Sequence, residues 1–591
     1  MVHVDIDTEY RNYITVQCTD QKESSVVESI LSAEKLQEFQ YSVYVQDFRV
    51  LKKRLDENNL VDREITEEGL ERVNEYLSKV QIRSEIKSKV FAADVSGITA
   101  TKPYTDQFNG IAYIVANQFV GLHDEMGSGK TISTLIAYML LRKYAVVDKL
   151  LVICSNPVKQ VWEDEINKHG FNVTYVKCGN GKQIVNGDIK RFVRHKDDVC
   201  IIHYEALTAE VIEQLLSIGF DMIVIDEAHM IKNSRSNRSK SVIRIVKEMR
   251  RRSVIDQAWI KELGVESRLQ NKKMANVVCL TGTPLSENPF SAYPILTVLN
   301  HFSVRMKKMF LNYFMEWGKV YIPGYGYVNQ PVANRNMDAL GIYFEDVSIR
   351  RLRSQIKGMP KKVEQIRYVK DVSKEFRELY NKVLEEVRLE IQNEKGQSIT
   401  LTNAATKLIR LQQILNNPRM LGFEVQSVKY PVIKDIVEEA VESGTKVVIW
   451  SIFEQGAELV AKEFENVGSA YITGKVKDDQ IQKIRKDFEA GKVNVLSATV
   501  QKLGTGVDFL KAADIAIYLE MPVSYIQYKQ SQDRLVRRGK TDTVLEVSIL
   551  VNNSVDVLVK DLLDRKSEWA ASVLDSKLVN RAELNKRLTS I

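Results

Sequence analysis

Runs of uniformly apolar positions alternate with amphipathic, charged stretches through most of this chain. KLLVICS (149–155), DVCIIHY (198–204), FDMIVIDE (220–227) and NVVCLTGT (276–283) each place apolar residues at several successive positions. A strand with one face in water alternates apolar and polar residues, whereas a strand buried on both faces does not. These runs therefore predict a parallel sheet covered by helices over residues 98–290. A second set, KVVIWS (446–451), SAYITG (469–474), VNVLSA (493–498) and ADIAIYLE (513–520), predicts another such unit over 366–565. Residues 1–97 read differently. True alternation in YITVQC and YSVYVQDFRVL is followed by the charged helical stretch ITEEGLERVNEYLSKV, which predicts a small α+β module. The strand–helix rhythm is lost over 291–365. There FLNYFMEWGKVYIPGYGYVNQP reads as a helical protrusion with a Gly/Pro/Tyr loop, and the basic SIRRLRSQIKGMPKKVEQ lies at the connection between the two units. The charged tail, 566–591, is predicted to be a helix packed back across both. The expected fold class is α/β, with two parallel-sheet lobes, helical protrusions and a small N-terminal domain.

Between Phe119-Val120-Gly121-Leu122 and the helical run ISTLIAYMLLRKY stands DEMGSGKT, Asp124 to Thr131. Strand, glycine loop and helix in that order form a phosphate cradle. Gly127 and Gly129 let the backbone N–H groups turn inward, and the helix N-terminus adds partial positive charge. Met126 and Ser128 complete the loop, Lys130 is placed to reach the β- and γ-phosphates, and Thr131 to hold Mg²⁺ by its hydroxyl. The fully spaced pattern has glycine where this chain has Asp124.

FDMIVIDEAH ends an apolar strand in Asp226 and Glu227. Adjacent like charges are costly without a cation, so one carboxylate fits Mg²⁺ and the other a general base for water. Downstream, Ile231 to Ser253 carries nine Lys or Arg residues and a single acid, Glu248. Lys232, Asn233, Arg235 and Arg238 are its candidates for nucleic-acid phosphates, beside the plainer reading of a solvated helix face. The stretch up to about residue 280 is longer than a connection needs and reads as a helical insertion. LTGTPLSEN can sense phosphate. In LSATVQKLGTGVDFLKAAD, Gly504, Gly506 and Asp508 suit a loop beside nucleotide or a nucleic-acid backbone. QSQDRLVRRG sets Arg534 and Arg537 three apart, which predicts one helical face carrying two arginine fingers.

Net charge of +7 adds little by itself. The five cysteines, Cys18, Cys154, Cys178, Cys200 and Cys279, form no CxxC pair, so they are expected to be buried thiols rather than a zinc or disulfide framework. No apolar span is long enough to cross a bilayer and no basic–apolar leader opens the chain, which implies a cytosolic-type protein.

Taken in order, KPYTDQFNGIAYI, DEMGSGKT, LLVICSNPVKQVWEDEI, IIHYEAL, DEAHMIKN, LTGTPLSEN, RLQQILNNP, KVVIWSIF, the Gly504–Asp508 loop and QSQDRLVRRG resemble the superfamily 2 helicases. They are more closely similar to the Swi/Snf-type ATPases, which are double-stranded-DNA translocases. The resemblance implies two RecA-like lobes with ATP between them and DNA, duplex or branched, across their outer face. It also implies that Gln107 reads adenine, Lys130 and Thr131 bind phosphate and Mg²⁺, Asp226 binds Mg²⁺ and Glu227 is the base. Arg534 and Arg537 become the fingers, with Gln530 beside them. The chain departs from the family at His123, usually a small residue, at Val536, usually histidine, and at Gly539-Lys540, usually Gly-Gln. Its protrusion looks similar to that of phage or bacterial members, so a bacterial or phage-infected cytoplasm is the expected setting. A monomer is expected, with 1–97 available to a protein partner. An RNA helicase or remodeller, a non-hydrolysing nucleic-acid scaffold and a restriction-type motor stay open.

Overall fold

The computed structural model describes residues 2–6, 13–44, 47–60, 63–66, 98–143, 146–252, 276–285, 289–300, 306–322, 326–370, 372–393, 401–503, 509–538, 540 and 542–574. The N-terminal module is a five-stranded sheet of β1 (Val2–Ile6), β2 (Tyr13–Gln17), β3 (Glu34–Gln37), β4 (Gln40–Tyr44) and β5 (Arg63–Ile65), in the order β3-β4-β2-β1-β5. Helices Gln21–Glu28 and Phe48–Glu57 accompany it. The second helix starts inside a run that alternation assigns to strand. From Phe48 onward the buried positions 48, 51 and 55 follow helical spacing, so only 40–44 pair in the sheet. Most of ITEEGLERVNEYLSKV falls at 67–80, outside the described residues, as do the insertion at 253–275 and residues 575–591 of the tail.

The next strands are β6 (Phe119–Leu122), β7 (Leu150–Cys154), β8 (Tyr175–Lys177), β9 (Val199–His203), β10 (Met222–Asp226) and β11 (Asn276–Leu280). The aromatic stretch expected in a helical protrusion is instead an antiparallel hairpin, β12 (Met315–Ile322) and β13 (Gly326–Asn334), reached through helix Lys307–Phe314. β-branched and aromatic residues at Val320, Tyr321, Ile322, Tyr327 and Val328 favour strand. Pro323-Gly324 between them is turn chemistry that interrupts a helix. Helix Met337–Val347 follows, and β14 (Ser348–Ile349) returns to the first sheet. That sheet runs β14-β6-β11-β10-β7-β9-β8, and every pair in it is parallel.

The second lobe holds β15 (Lys362–Val369), β16 (Val447–Ser451), β17 (Ser469–Ile472), β18 (Val495–Thr499), β19 (Ile515–Tyr518) and β20 (Val544–Val551). Its order is β15-β20-β19-β16-β18-β17, again wholly parallel. β16, β18 and β19 are as apolar and as buried as their runs suggest, because helices cover both faces, whereas the edge strands β15 and β17 are largely unburied.

Three apolar cores result. One joins the N-terminal sheet, one face of the first parallel sheet, and helices Ala292–Val298 and Met337–Val347. Another lies under helices Thr105–Ala116, Lys130–Lys143 and Val158–Lys168 on the opposite face. The last fills the second lobe. Helix Val555–Leu574 touches two of them: Ala570 belongs to the second-lobe core, Val573 to the first, and Trp569 packs on both. Its end lies so close to Gly341 that a Cβ there would meet the Val573 carbonyl oxygen at 2.5 Å. Among the described residues no helix is long and apolar enough to cross a membrane.

Candidate nucleotide site between the lobes

Three neighbouring strand ends of the first sheet converge. β6 leads into the glycine loop, β10 ends in the acidic pair, and β11, between them, leads into Thr281–Thr283. The loop turns as its glycines predict, with φ of +80° at Gly127 and +83° at Gly129, a region that side-chain-bearing residues rarely adopt. Helix Lys130–Lys143 starts directly after it. Lys130 Nζ donates to the carbonyls of Asp124 (2.8 Å) and Glu125 (3.3 Å), so the ammonium is folded across the loop it serves. Gln107 lies against the same loop. Its amide donates to Ser128 O at 3.2 Å, while its side-chain oxygen caps its own helix at Tyr104 N, 2.9 Å.

Asp226 is buried. Its carboxylate accepts from Trp162 Nε1 (2.7 Å) and from the Glu227 N–H (2.8 Å). Burial first, and Glu227 next, push its carboxyl up to about 6. Glu227 sits at φ +52°, a left-handed position unusual for a residue with a side chain, and the turn sends its carboxylate to His229 Nδ1 at 3.2 Å. Burial opposes its charge, but His229, Lys130 and Arg534 outweigh that and hold the carboxyl below its usual range. His229 Nε2 lies 3.4 Å from the Gln530 side-chain amide, and Nδ1 is also 3.3 Å from Thr281 Oγ1. In a neutral ring, an Nδ1–H facing the carboxylate leaves Nε2 to accept from Gln530.

The second lobe closes the site. Arg534 is buried on helix Tyr525–Leu535 and contributes to the field at Glu227. Arg537 does not share its helical face as the spacing predicts. The helix stops at Leu535, Val536 leaves helical geometry (φ −92°, ψ 84°), and Arg537 follows in the turn. That turn lies over the glycine loop, where a Cβ on Gly127 would be 3.5 Å from Arg537 Cα. Arg538 pairs with Asp106, and its guanidinium lies 4.2 Å from the centre of the Tyr104 ring. Arg353 pairs with Asp533, and Lys529 Nζ is 3.5 Å from Glu125.

The departures at positions 123 and 124 acquire a reason. Asp124 Oδ1 accepts from both the backbone N and the Nε of Arg351, at 2.9 Å each, and the guanidinium also grips Oδ2. His123 N donates to Ile349 O at 2.9 Å, and Arg353 N donates to Glu125 Oε2 at 2.7 Å. The basic connection between the lobes is thus stitched to the start of the phosphate loop. The His123 ring fills the space beside it, edge-on to Phe344 at 5.6 Å. Burial, then Arg350 and Lys130, push its pKa down to about 3, so the ring is neutral.

A model of the SNF2-related domain matches residues 107–254 and 263–420, and one of the helicase conserved C-terminal domain matches 428–539. The chain belongs to the SNF2-related family. Its relatives include an uncharacterized ATP-dependent helicase of Mycoplasma pneumoniae, 22% identical over 493 residues, which are 81% of this chain and 42% of that one. The ISWI chromatin-remodeling complex ATPase ISW1 of Saccharomyces cerevisiae is 23% identical over 513 residues, 82% of this chain and 41% of that one. The DNA annealing helicase and endonuclease ZRANB3 of Homo sapiens is 22% identical over 468 residues, 77% of this chain and 38% of that one. This SNF2-family chain spans less than half the length of these relatives. A Sulfolobus solfataricus SWI2/SNF2 ATPase core in complex with dsDNA aligns with TM-score 0.36 and 20% identity, covering 83% of this chain and 97% of that one.

The structure brings Gln107, Met126 to Thr131, Asp226, Glu227, Gln530 and Arg534 to one cleft, with Arg537 at its lip. The others stand apart or beyond description. Gly504, Gly506 and Asp508 lie outside the described residues. Lys232 and Asn233 follow the acidic pair, and Asn233 Oδ1 accepts from Arg235 N at 3.0 Å. Arg235 is exposed, and Arg238 pairs with Glu205 at 2.6 Å. Sequence reasoning missed Trp162, Arg353, Lys529 and Arg538. Trp162 was signalled only by its place in VKQVWEDEI, and Arg538 by being a third arginine in RLVRRG.

Proposed function

We propose that this SNF2-family chain is an ATP-driven motor that translocates on or remodels duplex or branched DNA. The observation that carries it is the contact of Gln530, from the second lobe, with His229 beside Glu227 in the first, at 3.4 Å, with Arg534 one helical turn further along the same helix. A site split between lobes makes turnover depend on closure, and cyclic closure is what moves a two-lobed motor along a strand.

The residues fit ATP and Mg²⁺. The buried Ser128 Oγ in the loop has no protein partner, and Asp226, raised by burial and by the acid next to it, is not paired with a cation in a salt bridge among the described residues. Among the described residues no group of three His, Cys, Asp or Glu is placed to hold a metal alone. Mg²⁺ therefore suits this site only together with phosphate oxygens and water, held by Thr131 and Asp226. When bound, the metal supplies charge neutralisation at the β- and γ-phosphates.

Lys130 exchanges the loop carbonyls for phosphate oxygens. Glu227, kept ionised, accepts a proton from the attacking water. His229 positions it, and Gln530 reports to His229 which lobe geometry prevails. Arg534 and Arg537 place positive charge where the transferring group gains negative charge. Gln107 turns from Ser128 toward the base. Docking of a protein partner on 1–97 and a monomeric state belong to the same reading.

ATP hydrolysis measured in parallel without polymer and with duplex, single-stranded and forked DNA and RNA tests it. Duplex or forked DNA is expected to stimulate most, and Lys130→Ala to abolish turnover while DNA binding persists. Stimulation by RNA alone, or normal turnover in Lys130→Ala, would overturn the assignment.

A further inference from the structure

Hairpin β12–β13 forms a two-stranded sheet of its own. Such a hairpin is marginal by itself, so its root must be anchored. Phe314 and Met315 are buried where the preceding helix runs into β12, and Trp317 rests edge-on against Phe290 at 6.5 Å between centres. Beyond that root, Lys319, Tyr327, Asn329, Pro331 and Val332 are exposed.

The two faces differ. Trp317 stands opposite Pro331 and Lys319 opposite Asn329, and Tyr327 pairs with Tyr321 two positions further on. Directly opposed residues of an antiparallel pair share a face, as do alternate residues of one strand. Trp317, Lys319, Tyr327, Asn329 and Pro331 thus make one surface, all exposed, with Trp317 at 36% and Tyr327 at 73%. On the reverse face stand Gly318, half-buried Val328 and exposed Val332. Val332 covers Gly318, where a Cβ would meet Val332 Cγ1 at 2.8 Å.

Charge supplies the other half of the argument. Of the residues on this surface only Lys319 is charged, and the exposed acid Glu316 stands across the register shift that precedes Trp317. At the start of the helix that feeds β12 stands Lys307. Burial, followed by the nearness of Arg235 and Lys240, holds its ammonium below the usual range. Three cations therefore gather where the helix that feeds β12 begins. Stacking platforms beside cations suit single-stranded nucleic acid, because every base has a π-face and every link a phosphate. Bases within a duplex are already stacked and cannot use such a platform. Unpaired ones can.

We infer that the Trp317–Tyr327 face of the hairpin receives unpaired bases at a duplex-to-single-strand junction, while Lys307, Arg235 and Lys240 hold the adjoining phosphates. This rests on the proposed action on DNA and narrows it to branched substrates. Tyr327 supplies the outer stacking surface and Trp317 the inner one. Lys319 and Asn329 supply hydrogen bonds to base edges or backbone between them.

The test uses the full chain, a fork carrying 2-aminopurine at the first unpaired position, and a blunt duplex of the same sequence. Wild-type protein is expected to bind the fork about tenfold more tightly than the duplex and to quench the probe by stacking. Trp317→Ala/Tyr327→Ala should lose both the preference and the quenching while keeping its duplex affinity. Tyr327→Ala alone, at a largely exposed position, should lose part of each without affecting folding. Equal binding of fork and duplex by the wild type overturns the inference. So does a fork preference that survives in the double variant, the result expected of a protein-docking face. ATPase of the same preparations separates this from the motor reading. No stimulation by any nucleic acid, with quenching still dependent on the aromatic pair, would sink the motor and support the hairpin site.

Discussion

The two parallel sheets are built alike and finish differently. At the strand ends of the first, polar groups await something the lobe does not supply. Ser128 Oγ is unpartnered, Asp226 is pushed up to about 6 by burial and its acidic neighbour, and Lys130 is parked on loop carbonyls. At the strand ends of the second, charges are largely answered from within. Lys429 is completely buried. It pairs with Asp556 at 2.8 Å and donates to Leu519 O at 2.6 Å. Glu520 accepts from Ser451 Oγ and Ile452 N, and burial pushes its carboxyl up to about 7, so near neutral pH it is partly protonated. One scaffold thus serves two ends: the unanswered groups of the first lobe surround its glycine loop, while in the second the Lys429–Asp556 pair is completed electrostatics even though Glu520 Oε1 beside it has no partner. What the second lobe brings to the cleft is helix Tyr525–Leu535 and the turn after it.

The sharpest way to break this contrast is to remove what that helix brings. Arg534→Ala should lower kcat by about 10³-fold with nucleotide affinity nearly unchanged, the loss expected when a finger is withdrawn. Steady-state ATPase alongside fluorescent-nucleotide binding measures it, and a loss confined to binding would refute the role. A smaller effect, on stability instead of rate, is expected from the support. Lys429→Met leaves the Asp556 carboxylate buried without its cation and should cost about 3–5 kcal/mol, read from urea unfolding followed by second-lobe fluorescence. A neutral outcome would mean that the pair is not completed electrostatics at all.

The smallest effect sharpens the meaning of a raised carboxyl. Asp47 is buried like Asp226 and also pushed up to about 6, by burial, yet it belongs to the N-terminal module and not to the cleft. It accepts from Tyr343 OH at 2.6 Å and Ser32 N at 3.1 Å. The folded protein holds this proton more tightly than the unfolded chain does. The stabilisation is therefore complete below the ordinary 3.8 and is lost as pH rises through about 6. Asp47→Asn should gain on wild type across that window by up to about 3 kcal/mol in denaturant titrations, with ATPase unchanged. A difference independent of pH would show that the carboxyl is already ionised in the fold.

Much of the architecture was legible because burial on both faces leaves unbroken apolar runs, and β6, β7, β9, β10, β11 and β16 to β19 coincide with them. β8 and β14, three and two residues long, are too short to carry a pattern. β15, with its exposed positions, lacks the uniform apolarity of its neighbours. The chemistry of the glycine loop and the acidic pair could be read locally, since spacing along the chain sets it. Asp124 could not. It looks like a flaw in a phosphate loop until Arg351, 227 residues later, folds onto it. Arg537 shows the opposite failure: helical spacing continued on paper past the point where Val536 ends the helix. The aromatic hairpin was misread because dense aromatics fit a helix bundle as well as a ribbon, and only pairing register tells them apart.

The return of helix Val555–Leu574 to the first lobe gives the molecule a mechanical property. The chain joins the lobes twice, once through the connection stitched to Asp124 and Glu125, and again where the end of this helix lies against Gly341. Two fixed points define a line. A closure that keeps both contacts turns the lobes about that line, like a door on two knuckles. The stroke of any group then scales with its distance from the axis, so surface far from it travels furthest for each ångström of closure at the glycine loop.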